Sequence, residues 1–464
     1  MKIFRLIGKT LLVSLAVTTL SANAGNIDAT AARAAAGRFL HQNAHAMFKA
    51  TPQSAIKLAH REASKVSGNA YYVFNIDGGG WVIIAGDDRA QEVLAYGNYG
   101  SVDVNNMPDN MKGYLDMFKA QIECMQAYKG EVVPLKTPKS NLVVEPLVKT
   151  NWAQGNPFNR QCPQYGGEYS SVGCGGLAMA QIVNYWKYPT DMPALESYPN
   201  TANYSYVPAL PAATIDYSLI VDHYTDWNDA GQVVLLNTTQ EQKDEVAKLC
   251  RYCAQSCLMN FSPDGSGSNV LKQKNGFLAI GYHSDAKLVG LEAWPSRETW
   301  NTTDYTDAEW IALINEQLAA GRPIPYSSED FTDGHAFVVD GIDANGMYHV
   351  NWGWYGRCDG WYQYGAFNVT PTNETYYFNS SLFMIIDLYP YPGYVIPSDE
   401  PETMRGDVNK DGEIGIADVT ALIDYILSGD ATDIDLEAAE CDMVDGITIA
   451  DVTTLIDYIL NGEW

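Results

Sequence analysis

Cys174 lies between Gly173 and Gly175 at the start of a nearly all-apolar stretch, Leu177 to Trp186. Far downstream, Gly334-His335 opens a second apolar run, Ala336 to Ile342. A turn, Asp343-Ala344-Asn345-Gly346, and a returning run, Met347 to Trp352, follow. A thiol, an imidazole and the Asn351 amide are the parts of a nucleophilic acyl-transfer site. The apolar stretch reads as a central, buried helix stopped by Pro189. A helix start favours the thiolate, the attacking form of cysteine, and flanking glycines let a substrate backbone come close. On the predicted hairpin, His335 and Asn351 should lie nearly opposite each other, so that the amide fixes the imidazole tautomer. His349 is the rival base. Mid-strand and without a glycine approach, it reads as a packed histidine.

Several elements must position these groups. Lys2, Arg5 and Lys9, the apolar run Leu11 to Leu20 and Ala22-Asn23-Ala24 read as a secretory signal over residues 1–24. No second apolar run of spanning length follows, so export to the medium or cell surface is expected. Residues 25–147 form a block with helical patterns at Ala29–Ala50, Gln53–Lys65 and Met107–Tyr128. Between them, strands at Tyr71–Asn75 and Trp81–Ala85 flank Asp77-Gly78-Gly79-Gly80. The block is large enough to fold alone. Residues 148–392 hold the thiol and the imidazole, and the Pro-rich 393–404 reads as a linker. The net charge of −27 argues against nucleic acid and anionic membrane as partners. The eight cysteines show no disulfide framework; Cys250, Cys253 and Cys257 read as a buried thiol stripe on one helix face.

Four ordered segments resemble the streptopain family of the papain clan. They are Trp152-Ala153-Gln154-Gly155-Asn156-Pro157-Phe158-Asn159, Gly173-Cys174 with Ala178-Met179-Ala180-Gln181, Gly334 to Gly341, and Tyr348 to Trp354. The resemblance implies a papain-like α+β fold and a cysteine endopeptidase acting on protein or peptide substrates without a catalytic cofactor. Cys174 would be the nucleophile and His335 the general base and acid. Gln154 would form the oxyanion hole with the Cys174 N–H, and Asn351 or Trp352 would orient the histidine. Trp352 and Trp354 would wall the imidazole from water. Tyr71 to Asn75 and Trp81 to Tyr96 resemble the family's propeptide, so 25–147 would be inhibitory and the product a zymogen. Gly175-Gly176-Leu177 departs from the family pattern, which suggests a looser helix start. Arg357 and Cys358 also depart, and could alter specificity. Two other readings use the same residues: another Cys-His acyl-transfer enzyme (transglutaminase or amidase), and a catalytically silent adhesin or inhibitor.

Residues 405–464 contain a repeat: Ile416 to Asp430 matches Ile449 to Glu463 at 12 of 15 positions. Ahead of the first copy, Asp407, Asn409, Asp411, Glu413 (through its carbonyl) and Asp418 have the spacing of an oxygen cage for Ca²⁺. Ahead of the second, Asp442, Asp445 and Asp451 remain, in a loop that reads as two residues short and lacking its third-position oxygen. One good site and one weak or lost site are expected. Repeat and loops together resemble a type I dockerin, a small all-α calcium-loop–helix pair, which implies anchoring through a cohesin-type partner by Val419-Thr420 and Val452-Thr453.

Overall fold

Four strands from the amino-terminal block and six from the catalytic block hydrogen-bond into one ten-stranded sheet. The computed structural model describes residues 25–43, 48, 51–127, 140–228, 232–291, 305, 307–329, 334–364, 381–396, 405–411, 413–432, 434–444 and 446–462. The expected signal at 1–24, residues 397–404 of the linker and Asp445 lie outside them.

The strands are β1 (Ile56–Ala63), β2 (Asn69–Ile76), β3 (Trp81–Ala85), β4 (Val93–Gly97), β5 (Lys287–Leu291), β6 (Ile324–Glu329), β7 (Gly334–Ile342), β8 (Tyr348–Asn351), β9 (Gly360–Tyr362) and β10 (Ser381–Ile386). They run in the order β1-β2-β3-β4-β9-β8-β7-β6-β10-β5. The β2–β3 hairpin turns where the glycines demand it, with Gly78, Gly79 and Gly80 all at positive φ. The Gln53–Lys65 segment, expected to be helical, is instead largely strand β1. Ile56 is buried, and thereafter exposed residues alternate with half-buried ones, a period of two. Pairing with β2 overrides the helical spacing of its alanines.

The amino-terminal block does not stand apart. β4 pairs antiparallel with β9, Tyr96 opposite Trp361 and Ala95 opposite Tyr362. Helix α1 (Ala29–Gln42), shorter than its expected run, covers one face of this half. Helix α2 (Asp109–Ala127) lies on the other and carries Tyr114 into the catalytic core. The Tyr114 ring packs edge-on against Phe337, Trp352 and Tyr362, and its hydroxyl donates to the Gln363 carbonyl at 2.8 Å. One hydrophobic cluster therefore runs from Trp81 and Phe118 through Trp352 to Met384.

Helix α3 (Cys174–Trp186) is buried along almost its whole length, as its composition predicts. It packs on α4 (Gln240–Ser256) and against β7. A capping box between Thr239 and Gln242 starts α4. Cys250, Cys253 and Cys257 are fully buried there, and all eight cysteines are free thiols. Helix α5 (Val270–Ala279) follows. Among the described residues, no helix is long and apolar enough to cross a membrane.

Residues 395–464 make a second compact unit. Its two long helices, α7 (Ile416–Ser428) and α8 (Ile449–Asn461), following α6 (Asp307–Ala319) of the first unit, pack through Val419, Leu422, Val452 and Leu455 around Val408 and Cys441.

Candidate active site

Gly173 caps α3 with φ +82, a conformation that turns the chain sharply into the helix and is open to glycine at little cost. Cys174 is thus the first helical residue. It lines a cleft of about 1050 Å³ shared with Gln154, His335 and Trp354, and with Asp109, the first residue of α2. The sequence-predicted thiol, imidazole and glutamine therefore meet in one cavity. An antiparallel bridge between Ala153 and Trp354 sets Gln154 on the cleft wall, and the Val172 N–H donates to the Gln154 carbonyl at 3.0 Å.

The thiol's environment works in two directions. Burial pushes the Cys174 pKa up, while the backbone N–H groups of Ala336, Gly175 and Cys174 itself pull it down; the net direction is up. The helix-start effect expected from the sequence is present, but burial outweighs it in this state of the chain. The Ala336 N–H, next to His335, is the contact that β7 makes with the sulfur. The His335 imidazole makes no hydrogen bond to a described residue.

Asn351 is not opposite His335. It pairs with Val338, and His335 pairs with Ser328 on β6. A register shift between Val339 and Gly341 moves the hairpin from simple turn-centred counting. The buried Asn351 amide instead donates to the Thr150 carbonyl at 2.7 Å, and its oxygen accepts from the Gly353 N–H at 3.0 Å. It joins the segment leading to Gln154 with the turn leading to Trp354. Trp352 is buried behind the cleft. Its indole N–H donates to the Cys358 carbonyl and the Tyr362 hydroxyl, both at 3.1 Å, and its ring lies 4.8 Å from Phe337. Trp354 lines the cleft with His335 and Trp352 does not.

Sequence reasoning missed a buried polar cluster behind the hairpin. His349 Nδ1 sits 2.6 Å from Asp340 Oδ1 and its ring packs on Trp361. Burial pulls the His349 pKa down, but the carboxylates of Asp340, Asp359 and Glu145 outweigh it and hold it up. Burial pushes Asp359 up to about 7, against the Trp352 N–H that donates to it at 2.9 Å. Asp340 also accepts from the Val148 N–H at 2.8 Å. The packed His349 was legible in the sequence; its partner Asp340 was signalled only as an acid inside an apolar strand.

The glycines after the nucleophile do not loosen the site. A Cβ on Gly176 would come within 2.8 Å of the Ala254 Cβ, and one on Gly175 within 2.6 Å of the Gln273 side chain. The glycines let α4 and α5 press directly on the helix start. Of the other departures, Cys358 is buried and does not line the cleft. Arg357 stacks 4.1 Å over Trp227 and donates to the Asn106 carbonyl of the amino-terminal block.

In the carboxy-terminal unit the two loops prove equal in length. The Asn409 N–H donates to Asp418 and the Asp442 N–H to Asp451, both at 3.0 Å. Gly415 and Thr448 then donate to the second oxygens of the same carboxylates. The equivalents of Asp407 and Asn409 are therefore Glu440 and Asp442, so no two residues are missing and the third-position oxygen is present. Glu440, Asp442 and Asp451 bring carboxylate oxygens within 4.8 Å of one another. In the first loop Asp407 and Asp411 take backbone N–H donors, and Glu413 is exposed. Clustered carboxylates fit a hard cation such as Ca²⁺.

A cysteine at a buried helix start, sharing a cleft with a histidine on the adjoining sheet, defines a papain-like cysteine endopeptidase. Residues 152–362 match the model of the peptidase C10 family. Residues 24–122 match the Spi protease inhibitor family. Streptopain of Streptococcus pyogenes is 29% identical over 321 residues, 66% of this chain and 76% of that one. The thiol protease/hemagglutinin PrtT of Porphyromonas gingivalis is 26% identical over 320 residues, 66% of this chain and 34% of that one. A prointerpain A fragment of Prevotella intermedia superposes with a TM-score of 0.59 at 24% identity, covering 73% of this chain and 99% of the fragment.

Proposed function

We propose that the chain is an exported endopeptidase zymogen in which Cys174, His335 and Gln154 carry the chemistry. His335 takes the thiol proton, and the thiolate attacks the carbonyl carbon of the scissile peptide. The Gln154 side-chain amide and the Cys174 N–H donate to the oxyanion that forms. The amine leaves with the proton from His335. Water, deprotonated by the same imidazole, then releases the acyl group from sulfur and regenerates the thiol. Asn351 is a positioning residue, holding the Thr150 and Gly353 backbones in place.

The single observation that carries this reading is the shared cleft of Cys174, His335 and Gln154. Asp109 in that cleft, and the match of residues 24–122 to a protease-inhibitor family, support an inhibitory role for residues 25–147. Export rests on the basic and apolar start of the chain. The carboxy-terminal unit is an anchor that binds Ca²⁺ through Asp407, Asn409, Asp411 and Asp418 in one loop and Glu440, Asp442 and Asp451 in the other. Of the expected Val419-Thr420 and Val452-Thr453 pairs it presents the exposed Thr420 and Thr453 to a cohesin-type partner, while Val419 and Val452 are buried in the core of the unit. Bound calcium would neutralise the clustered carboxylates and fix both loops.

Labelling with a thiol-directed epoxide, followed by mass spectrometry of the processed protein, tests the assignment. Cys174 should carry the label, with peptide cleavage lost in step. A processed wild type that cleaves peptides with Cys174 unlabelled would overturn it.

A further inference from the structure

A two-stranded hairpin, Tyr198–Asn200 paired with Ser205–Val207, stands at one end of the cleft. Tyr198, Pro199 and Thr201 line the cavity. The rest of the hairpin presents two aromatic rings to solvent: Tyr204 is 98% exposed and Tyr206 is 70% exposed. Tyr204 also has φ +48, a left-handed conformation that glycine or asparagine adopts at lower cost than tyrosine. Neither packing nor turn geometry calls for a tyrosine there. An aromatic ring held in water on strained backbone points to a binding role.

The register places Tyr206, which follows the turn that carries Tyr204. Tyr206 is directly opposite Pro199, and paired residues project from the same face of a ribbon. Pro199 lines the cleft, as do Tyr198 and Thr201, so Tyr206 stands on the strand that borders it. The platform is also rigid. Asn200 Nδ2 donates to the Phe261 carbonyl at 2.9 Å and to the Tyr165 hydroxyl at 2.7 Å. The Ala202 N–H donates to Asn260 Oδ1 at 3.0 Å, and Asn260 Nδ2 donates to Thr201 Oγ1 at 2.8 Å. The Tyr198 hydroxyl donates to the Met259 carbonyl at 2.7 Å. Hairpin and cleft floor thus form one hydrogen-bonded piece, and a ligand meeting it pays little to order it.

We infer that Tyr204 and Tyr206 form an exosite for the extended polypeptide of a protein substrate, beyond the residues held in the cleft at the cleaved bond. The inference rests on the endopeptidase reading. Tyrosine supplies a large amphipathic contact at small entropic cost and accepts many side chains, which suits an unfolded chain of varied sequence. Such a contact acts before and during the chemical step alike, so it appears in KM rather than kcat.

The test uses the full chain after processing, with Tyr204→Asn and Tyr206→Thr combined. Asparagine tolerates the left-handed backbone and threonine keeps strand propensity, so the melting temperature should hold. For a denatured, alkylated protein substrate kcat/KM should fall about tenfold through KM, while for a short chromogenic peptide confined to the cleft it should stay within about twofold. An unchanged protein rate would overturn the exosite. An equal fall on both substrates would overturn it too, because the hairpin would then be shaping the cleft itself. If the unsubstituted processed enzyme cleaves neither substrate, the endopeptidase reading fails first and the exosite with it.

Discussion

Asp109, the first residue of an amino-terminal helix, and Cys174, the first residue of the catalytic helix, line the same cavity. The contact between the two parts of the chain is broad: β4 extends the catalytic sheet through β9, and Tyr114 reaches into the core behind Trp352.

The unprocessed chain should therefore be silent toward peptides, and removal of residues before the catalytic block should switch it on. Arg357 is the testable latch, because it reaches the Asn106 carbonyl from the catalytic side. Arg357→Ala should speed self-processing of the full chain, followed by gel densitometry over time, without lowering the final peptide-cleavage rate by more than about twofold.

Gln154 lines the same cleft as Cys174. Gln154→Ala should lower kcat by about a hundredfold with little change in KM, as loss of one oxyanion donor does. Steady-state kinetics on a short peptide reads both.

Gly176→Ala places a methyl group against Ala254 of the neighbouring helix, where backbone rather than a flexible side-chain end must give way. The cost should be about 1–3 kcal/mol of stability, measured by chemical denaturation.

Asp359 is held up to about 7 from an ordinary 3.8, so between those values the folded chain keeps a proton that the unfolded chain loses. Stability from this group is full below about pH 4 and is lost as pH rises toward 7, at a limiting slope of about 1.4 kcal/mol per pH unit. His349, raised from 6.5, adds the same sign above that value. Asp359→Asn keeps an oxygen for the Trp352 N–H and should flatten the melting temperature against pH between 4 and 7.

Calcium should raise the melting temperature of the carboxy-terminal unit, and a chelator should reverse the rise. Asp451→Ala and Asp418→Ala each remove the carboxylate that ties one loop to its helix. Calorimetric titration should show two sites in the parent and one in each variant. Two sites persisting in Asp451→Ala would remove the second loop from the proposal.

The sequence by itself determined the local pieces. Glycine at the cap and an apolar run specified α3, and the Asp77 to Gly80 turn specified the β2–β3 hairpin, because turn chemistry and periodicity act over a few residues. The Cys174, His335 and Gln154 motifs were also legible there. Only the tertiary structure decided the rest. The amino-terminal block shares a sheet with the catalytic block because β4 and β9 supply each other's edge. Asn351 faces Val338 and Thr150 because a register shift cannot be counted from a turn. The Cys174 thiol is pushed up because burial, set by every surrounding element, outweighs the helix start. Gly175 and Gly176 likewise became signs of tight packing once Gln273 and Ala254 stood beside them.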